Sequence, residues 1–95
     1  MRKVDVTIIG GGPAGMSAAL WCADLRLNTL LVERSPELGG QVAKIFNPIS
    51  NYLGISAANG AELLKHFLGS IRNSKFDRLQ STEVTTINPT TMSVH

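Results

Sequence analysis

Three glycines near the N-terminus have the spacing that phosphate binding requires. They are Gly10, Gly12 and Gly15, in the segment TIIGGGPAGMSAAL. In such a pattern the first glycine allows a sharp turn, the second leaves room for a pyrophosphate against the backbone, and the third lets a helix touch a strand. The start of the following helix would offer N–H groups and a partial positive charge to the phosphates. The pattern therefore predicts a dinucleotide site.

An acidic residue follows at the distance that such a site requires. Glu33 comes after the second apolar run of the chain, where this pattern places an acid about 20 residues beyond the glycines. Its carboxylate would accept hydrogen bonds from both hydroxyls of an adenosine ribose and would disfavour a 2′-phosphate. We therefore expect FAD or NAD rather than NADP, and the glycines and the acid leave both of these open.

The elements that would position these groups form a strand–helix–strand unit. The apolar run Val4 to Ile9 predicts a strand buried on both faces. Pro13 suits the first position of a helix, which we expect to extend to Leu25. Leu30 to Val32 predict a second buried strand that ends at Glu33. The predicted fold class is α/β, a Rossmann-like βαβ unit with a parallel sheet.

The rest of the chain gives weaker signals. Residues 34–58 show no long element, and a loop of that length is usually functional. Asn59 and Glu62 predict a capping box at the start of a second helix. Strands are expected at Thr82 to Ile87 and, after a turn, at Thr91 to Val94. The apolar stripe of the second helix would comprise Leu63, Leu64, Phe67, Leu68 and Ile71.

The composition argues against several classes of function. The 95 residues suffice for one small domain, and nine basic and seven acidic residues give a net charge of +2. This balance does not favour nucleic acid or a membrane as a partner. The single cysteine, Cys22, is expected to be a buried thiol, and Met16 and Trp21 to be packing residues. No spacing of side chains predicts a metal site or a catalytic residue.

Several segments together resemble the thioredoxin reductase-like group of flavoproteins, which have two dinucleotide-binding domains. The family's FAD fingerprint is similar to IIGGGPAGMSAAL, and its acid followed by a Gly-Gly-Gln turn is similar to ERSPELGGQV. Its Asn-x-Pro-Gly element resembles NYLG, in which Leu53 replaces the proline, and its next helix resembles GAELLKHF. The resemblance covers nearly the whole chain and implies FAD as the cofactor.

The resemblance also implies a set of cofactor contacts. The first glycine turn and the helix start would hold the pyrophosphate, and Glu33 would hold the adenosine ribose. The second glycine turn would run along the middle of the cofactor, with Asn51 near the flavin ring and the backbone of Val84 near the adenine. The expected cofactor-binding residues are Gly10, Gly11, Gly12, Pro13, Ala14, Gly15, Glu33, Arg34, Gly40, Gln41, Asn51 and Val84.

The function implied by the resemblance is that of an NAD(P)H-dependent flavoprotein oxidoreductase. A hydride would pass from NAD(P)H to FAD and on to a disulfide or another acceptor, such as a redox protein. Residues 1–95 would be the N-terminal part of the FAD-binding domain, ending at the start of a β-meander, and inactive alone. The longer parent would be a cytoplasmic homodimer. Two alternatives stay open: an NAD-binding dehydrogenase domain, which the Gly39-Gly40-Gln41 turn disfavours, and a non-catalytic nucleotide-binding fragment.

Overall fold

A computed structural model describes residues 2–95, which form two α-helices, one 3₁₀ helix and seven short strands. In chain order these are β1 (Val6–Ile9), α1 (Pro13–Asp24), β2 (Thr29–Val32), a 3₁₀ helix (Val42–Lys44), β3 (Ile49–Tyr52), β4 (Ile55–Ala57), α2 (Gly60–Ile71), β5 (Asp77–Leu79), β6 (Ile87–Asn88) and β7 (Ser93–Val94). The predicted strand–helix–strand unit is confirmed. Neither helix within residues 2–95 has the length and apolar character needed to cross a membrane.

The parallel sheet has the strand order β1-β2-β5, with β2 in the centre. Val6 pairs with Thr29 and Leu31 pairs with Arg78. All four residues of β2 are buried, as the apolar run predicts. The expectation that β1 is buried on both faces is wrong: its first three residues are half-buried and the fourth, Ile9, is 48% exposed. The reason is that β1 forms an edge of this sheet.

The main core lies between the two helices and one face of the sheet. Met16, Leu31, Leu38 and Ile71 form its buried cluster, which confirms Met16 as a packing residue. Trp21 is 66% exposed, so its predicted packing role is wrong: its position on α1 points away from the sheet. Cys22 is a free thiol and is half-buried rather than fully buried.

The long loop predicted for residues 34–58 contains regular structure. It holds the 3₁₀ helix and an antiparallel hairpin of β3 and β4, whose register shifts between Ile49 and Tyr52. Gly54 makes the hairpin turn with a φ of 89°. A second buried cluster, comprising Val42, Ile49, Ala57 and Leu63, packs this segment against α2. The hairpin was missed because its strands are too short to show an alternating pattern.

Helix α2 begins as predicted, with one difference in its cap. The Asn59 side chain accepts a hydrogen bond from the Glu62 N–H at 2.9 Å. The Glu62 carboxylate does not return to Asn59 but accepts from the Ala58 N–H, also at 2.9 Å. Within the predicted stripe Leu63 and Ile71 are buried, whereas Leu68 is 38% exposed and faces away from the core.

The strand predicted at residues 82–87 is wrong. The third strand of the sheet is β5, and residues 82–86 have no regular secondary structure. Strand β5 consists of Asp77, Arg78 and Leu79, all exposed, so it shows no apolar pattern. It is held by pairing with β2 and by an ion pair between Arg2 and Asp77. The turn near Asn88 is confirmed, but only two residues on each side of it form strands.

Candidate cofactor site

The first glycine turn connects β1 to α1 through a conformation that only glycine adopts easily. Gly10 has a φ of 106°, and its N–H donates a hydrogen bond to the Val32 carbonyl at 2.8 Å. A Cβ at Gly15 would lie 1.8 Å from the Gly10 carbonyl oxygen. The helix can therefore approach the turn only because position 15 has no side chain. The structural roles predicted for these two glycines are confirmed.

The start of α1 is open to an approaching anion. Gly12 is the N-cap residue and Pro13 the first helical residue. A Cβ at Gly12 would meet nothing within 4 Å, so the position that a side chain would take here is free of protein atoms. The first helical turn contains no acidic residue to neutralise its partial positive charge. The N–H groups of Ala14 and Gly15 have no acceptor within the helix and can serve an anion.

Glu33 follows β2, and its carboxylate accepts one hydrogen bond from the glycine turn and one from the following loop. Its Oε1 accepts from the Gly11 N–H at 2.8 Å, and its Oε2 accepts from the Ser35 N–H at 2.7 Å. These two bonds, Ser35 first, together with the charge of Arg34, hold the pKa of the Glu33 carboxyl below its usual range against the opposing effect of burial. The carboxylate is therefore ionised at neutral pH. Each oxygen keeps a second lone pair, which leaves capacity for ribose hydroxyls.

A second glycine turn lies directly on the first. Gly39 and Gly40 have φ values of 129° and 59°. The Gly39 N–H donates to the Gly11 carbonyl at 2.8 Å. A Cβ at Gly40 would lie 3.4 Å from the Gly12 Cα, so the two turns approach each other without side chains between them. Together they form a cradle of backbone without side chains at the start of α1, exposed at Gly40 and partly exposed at Gly12, as binding of an extended diphosphate requires.

Two residues that the sequence reasoning missed hold this arrangement together. Ser35 supplies the second backbone donor to Glu33. Leu38 is buried, and its Cδ2 lies 2.5 Å from the position that a Cβ on Gly11 would take. The sequence held a signal for each of them. Ser35 lies two positions after the acid, where serine favours a turn closed by a hydrogen bond, and Leu38 is an apolar residue isolated in a polar loop.

The remaining predicted contacts lie around this cradle or on other segments. Arg34 is exposed next to Glu33, and Gln41 is exposed next to Gly40 at the start of the 3₁₀ helix. Asn51 is exposed on β3 of the hairpin, and Val84 is half-buried in the C-terminal segment. The structure thus brings together the two glycine turns, Glu33, Arg34 and Gln41. The cofactor contacts expected at all of these residues, including the flavin and adenine contacts of Asn51 and Val84, stay predictions.

Two cavities lie outside the two glycine turns. One, of about 670 Å³, lies between the C-terminal ends of α1 and α2 and is lined by Arg26 and Lys75 among others. The other, of about 650 Å³, separates the second face of the sheet from the C-terminal segment. Val32 and Val84 both line it, so this groove connects the end of β2 with the predicted adenine contact.

Comparison with known proteins places the chain in one family. A family model described as FAD dependent oxidoreductase matches residues 5–94. The ferredoxin–NADP reductase of Limosilactobacillus fermentum is 37% identical over 88 residues, covering 90% of this chain and 27% of that protein. The ferredoxin–NADP reductase of Levilactobacillus brevis is 46% identical over 63 residues, covering 64% of this chain and 19% of that protein. The chain therefore spans less than a third of these relatives.

Solved structures agree with the sequence matches. The thioredoxin reductase of T. acidophilum superposes with a TM-score of 0.83 at 32% identity, over 99% of this chain and 30% of that one. The thioredoxin reductase of Lactococcus lactis gives a TM-score of 0.78 at 37% identity, over 90% of this chain and 27% of that one. The chain has the Rossmann-like fold of these proteins, and it belongs to the FAD dependent oxidoreductase family.

Proposed function

We propose that residues 1–95 form the N-terminal part of the FAD-binding domain of an NAD(P)H-dependent flavoprotein oxidoreductase similar to thioredoxin reductase. The observation that carries the proposal is the contact of the two glycine turns beside an ionised Glu33. A plain NAD-binding domain needs the first turn and the acid but not the second turn. The family match supports FAD as well.

Different residues of the cradle would bind different parts of the cofactor. The N–H groups at the start of α1 would bind the pyrophosphate, and Gly12 and Gly40 would let it lie against the backbone. Glu33 would accept hydrogen bonds from the adenosine ribose, with Arg34 beside it. Gln41 would continue the contact along the middle of the cofactor. Asn51 and Val84 complete the proposed set toward the flavin ring and the adenine.

The chemistry of the reaction would come from the cofactor. When bound, FAD supplies the redox function, in which a hydride from NAD(P)H is taken up and electrons leave to a disulfide or another acceptor. Relatives named ferredoxin–NADP reductase and thioredoxin reductase support a redox protein as the acceptor and NADPH as the donor. We propose a cytoplasmic homodimer for the whole protein. We expect no NAD(P)H oxidation by residues 1–95 alone.

A test of the proposal is to purify the 95-residue chain and titrate it with FAD and with NAD by calorimetry. We expect FAD to bind and to be released, with its visible spectrum, when the protein is denatured. Tight binding of NAD without binding of FAD would support the dehydrogenase alternative. Binding of neither cofactor to a folded chain would indicate an inert fragment and would contradict the proposal.

The variant Gly12→Ala tests the cradle itself. Its Cβ would meet no protein atom within 4 Å, so the fold should persist while the methyl group blocks the pyrophosphate. We expect FAD affinity to fall by about tenfold or more, a loss of about 1.4 kcal/mol. Gly69→Ala is the matched control, because a Cβ there also meets open space but lies on α2. Equal FAD affinity in both variants would contradict the site.

A further inference from the structure

The chain segment after β5 lies beside the loop that begins at Glu33, and several backbone hydrogen bonds join the two. The Glu33 N–H donates to the Leu79 carbonyl at 2.8 Å, and the Thr82 N–H donates to the Glu33 carbonyl at 2.9 Å. The Ser81 N–H donates to the Ser35 carbonyl at 2.9 Å. We call residues 80–82 the clasp, because they hold the loop beyond the last paired residues of the sheet.

Gln80 adds a side-chain bond to the clasp. Its Nε2 donates to the Pro36 carbonyl at 2.5 Å. Proline has no N–H of its own, so Pro36 contributes to this loop only as an acceptor. Gln80 lies outside the set of residues expected at the cofactor, and it reaches Glu33 only through the intervening peptides. It thus fixes the far end of the short loop 33–36.

Ser35 transmits this restraint to the carboxylate. Its carbonyl accepts from Ser81, while its N–H donates to Glu33 Oε2 at 2.7 Å. The peptide groups on either side of Ser35 are therefore fixed between the clasp and the acid. Ser81 itself has a φ of 53°, which residues other than glycine rarely adopt. A residue persists in such a conformation only where its surroundings determine it, as they do here.

We infer that Gln80 is a positioning residue that orients Glu33 and so sets the affinity for the adenosine half of the cofactor. The inference rests on the proposed function, because it concerns the same site. Gln80 and Pro36 are both exposed, so water can replace their hydrogen bond when it is lost. Removal of the bond should therefore cost little folding free energy, while the Pro36 end of the loop loses its side-chain restraint and ligand affinity falls.

The test is a double-mutant cycle on the 95-residue chain, with FAD affinity as the readout. Gln80→Ala removes the side-chain amide, and Gln80→Glu keeps its size but cannot donate to a carbonyl at neutral pH. We expect each to weaken FAD by about fivefold, the effect of one hydrogen bond. In a Glu33→Gln background, which lacks the ribose-binding carboxylate, the same changes should have little further effect. Asn73→Ala, which removes an exposed amide in the turn after α2, is the control and should leave FAD affinity unchanged.

The outcomes separate this inference from the proposed function. If the wild-type chain binds FAD and Glu33→Gln weakens it, but Gln80→Ala binds like wild type, only the role of Gln80 is overturned. Equal losses in both Glu33 backgrounds would also overturn it, because the effect would then not act through the acid. Hydrogen exchange provides a readout independent of FAD: Gln80→Ala should speed exchange at the Ser35 amide and leave the amides of α2 unchanged. Unchanged exchange at Ser35 would overturn the inference even if FAD does not bind.

Discussion

Strands β2 and β5 lie side by side in one parallel sheet, yet they are fixed by different means. All four residues of β2 are buried, whereas all three residues of β5 are exposed. Strand β2 is determined by its own apolar side chains, which would lose their burial in any other arrangement. Strand β5 carries no such signal and takes its place from backbone pairing and from the chain on either side of it. The candidate site uses both, since Glu33 follows one strand and the clasp follows the other.

The largest expected effect tests whether β2 carries the stability of the sheet. Leu31 is fully buried in the main core, so Leu31→Ala should lower the free energy of unfolding by about 4 kcal/mol. Leu79→Ala is the matched change on β5, where the side chain is 40% exposed, and it should cost about 1 kcal/mol or less. Urea denaturation of the two variants measures both values. Equal losses would contradict the difference between the strands.

A smaller effect on the free energy of unfolding is expected at the end of β2, where Glu33 ionises. The pKa of this carboxyl is lower in the folded chain than its usual value, so the ionised form stabilises the fold. This contribution is fully present above the unfolded-state pKa, about 4.3, and is lost as the pH falls through the lower folded-state value.

Comparison with Glu33→Gln isolates that contribution from the other acidic groups. We expect the difference in the free energy of unfolding between wild type and Glu33→Gln to be constant near neutral pH and to shrink under acid. Chemical denaturation at a series of pH values measures it. A difference that grows as the pH falls would show that burial, which raises the pKa, outweighs the two backbone hydrogen bonds.

The smallest effect concerns β5. The ion pair between Arg2 and Asp77 links the N-terminal segment to this strand, but both side chains are exposed. Such pairs contribute about 0–1 kcal/mol, because water screens them. Arg2→Ala should therefore change the melting temperature only slightly, and less in high salt than in low salt. A fall in melting temperature as large as that caused by Leu31→Ala would show that β5 depends on this ion pair rather than on its pairing with β2.

The same contrast explains which features the sequence could predict. The βαβ unit and the first glycine turn were predictable because their signals are local: an apolar run, Pro13, and glycines at fixed spacing. Strand β5 was not, because Asp77 and Arg78 join the sheet through partners that are distant in sequence. The β3–β4 hairpin was not, because its strands are too short to show an alternating pattern. In the site, the acid and both glycine turns were predicted. Ser35 left only a weak local signal, a serine two positions after the acid. The bond from Gln80 to the loop could not be predicted, because Gln80 and Pro36 are 44 residues apart and leave no local pattern of side-chain types.

Leu38 gives the site a thermodynamic connection to the rest of the chain. Its side chain belongs to the buried cluster with Met16, Leu31 and Ile71, and it also fills the space over Gly11 between the two glycine turns. A ligand held by those turns therefore binds a surface that exists only while the core is intact, so cofactor loading and folding are coupled equilibria. Each tenfold rise in free ligand above its dissociation constant should add about 1.4 kcal/mol to the free energy of unfolding. A small α/β chain of this kind would owe part of its stability in the cell to the supply of its cofactor.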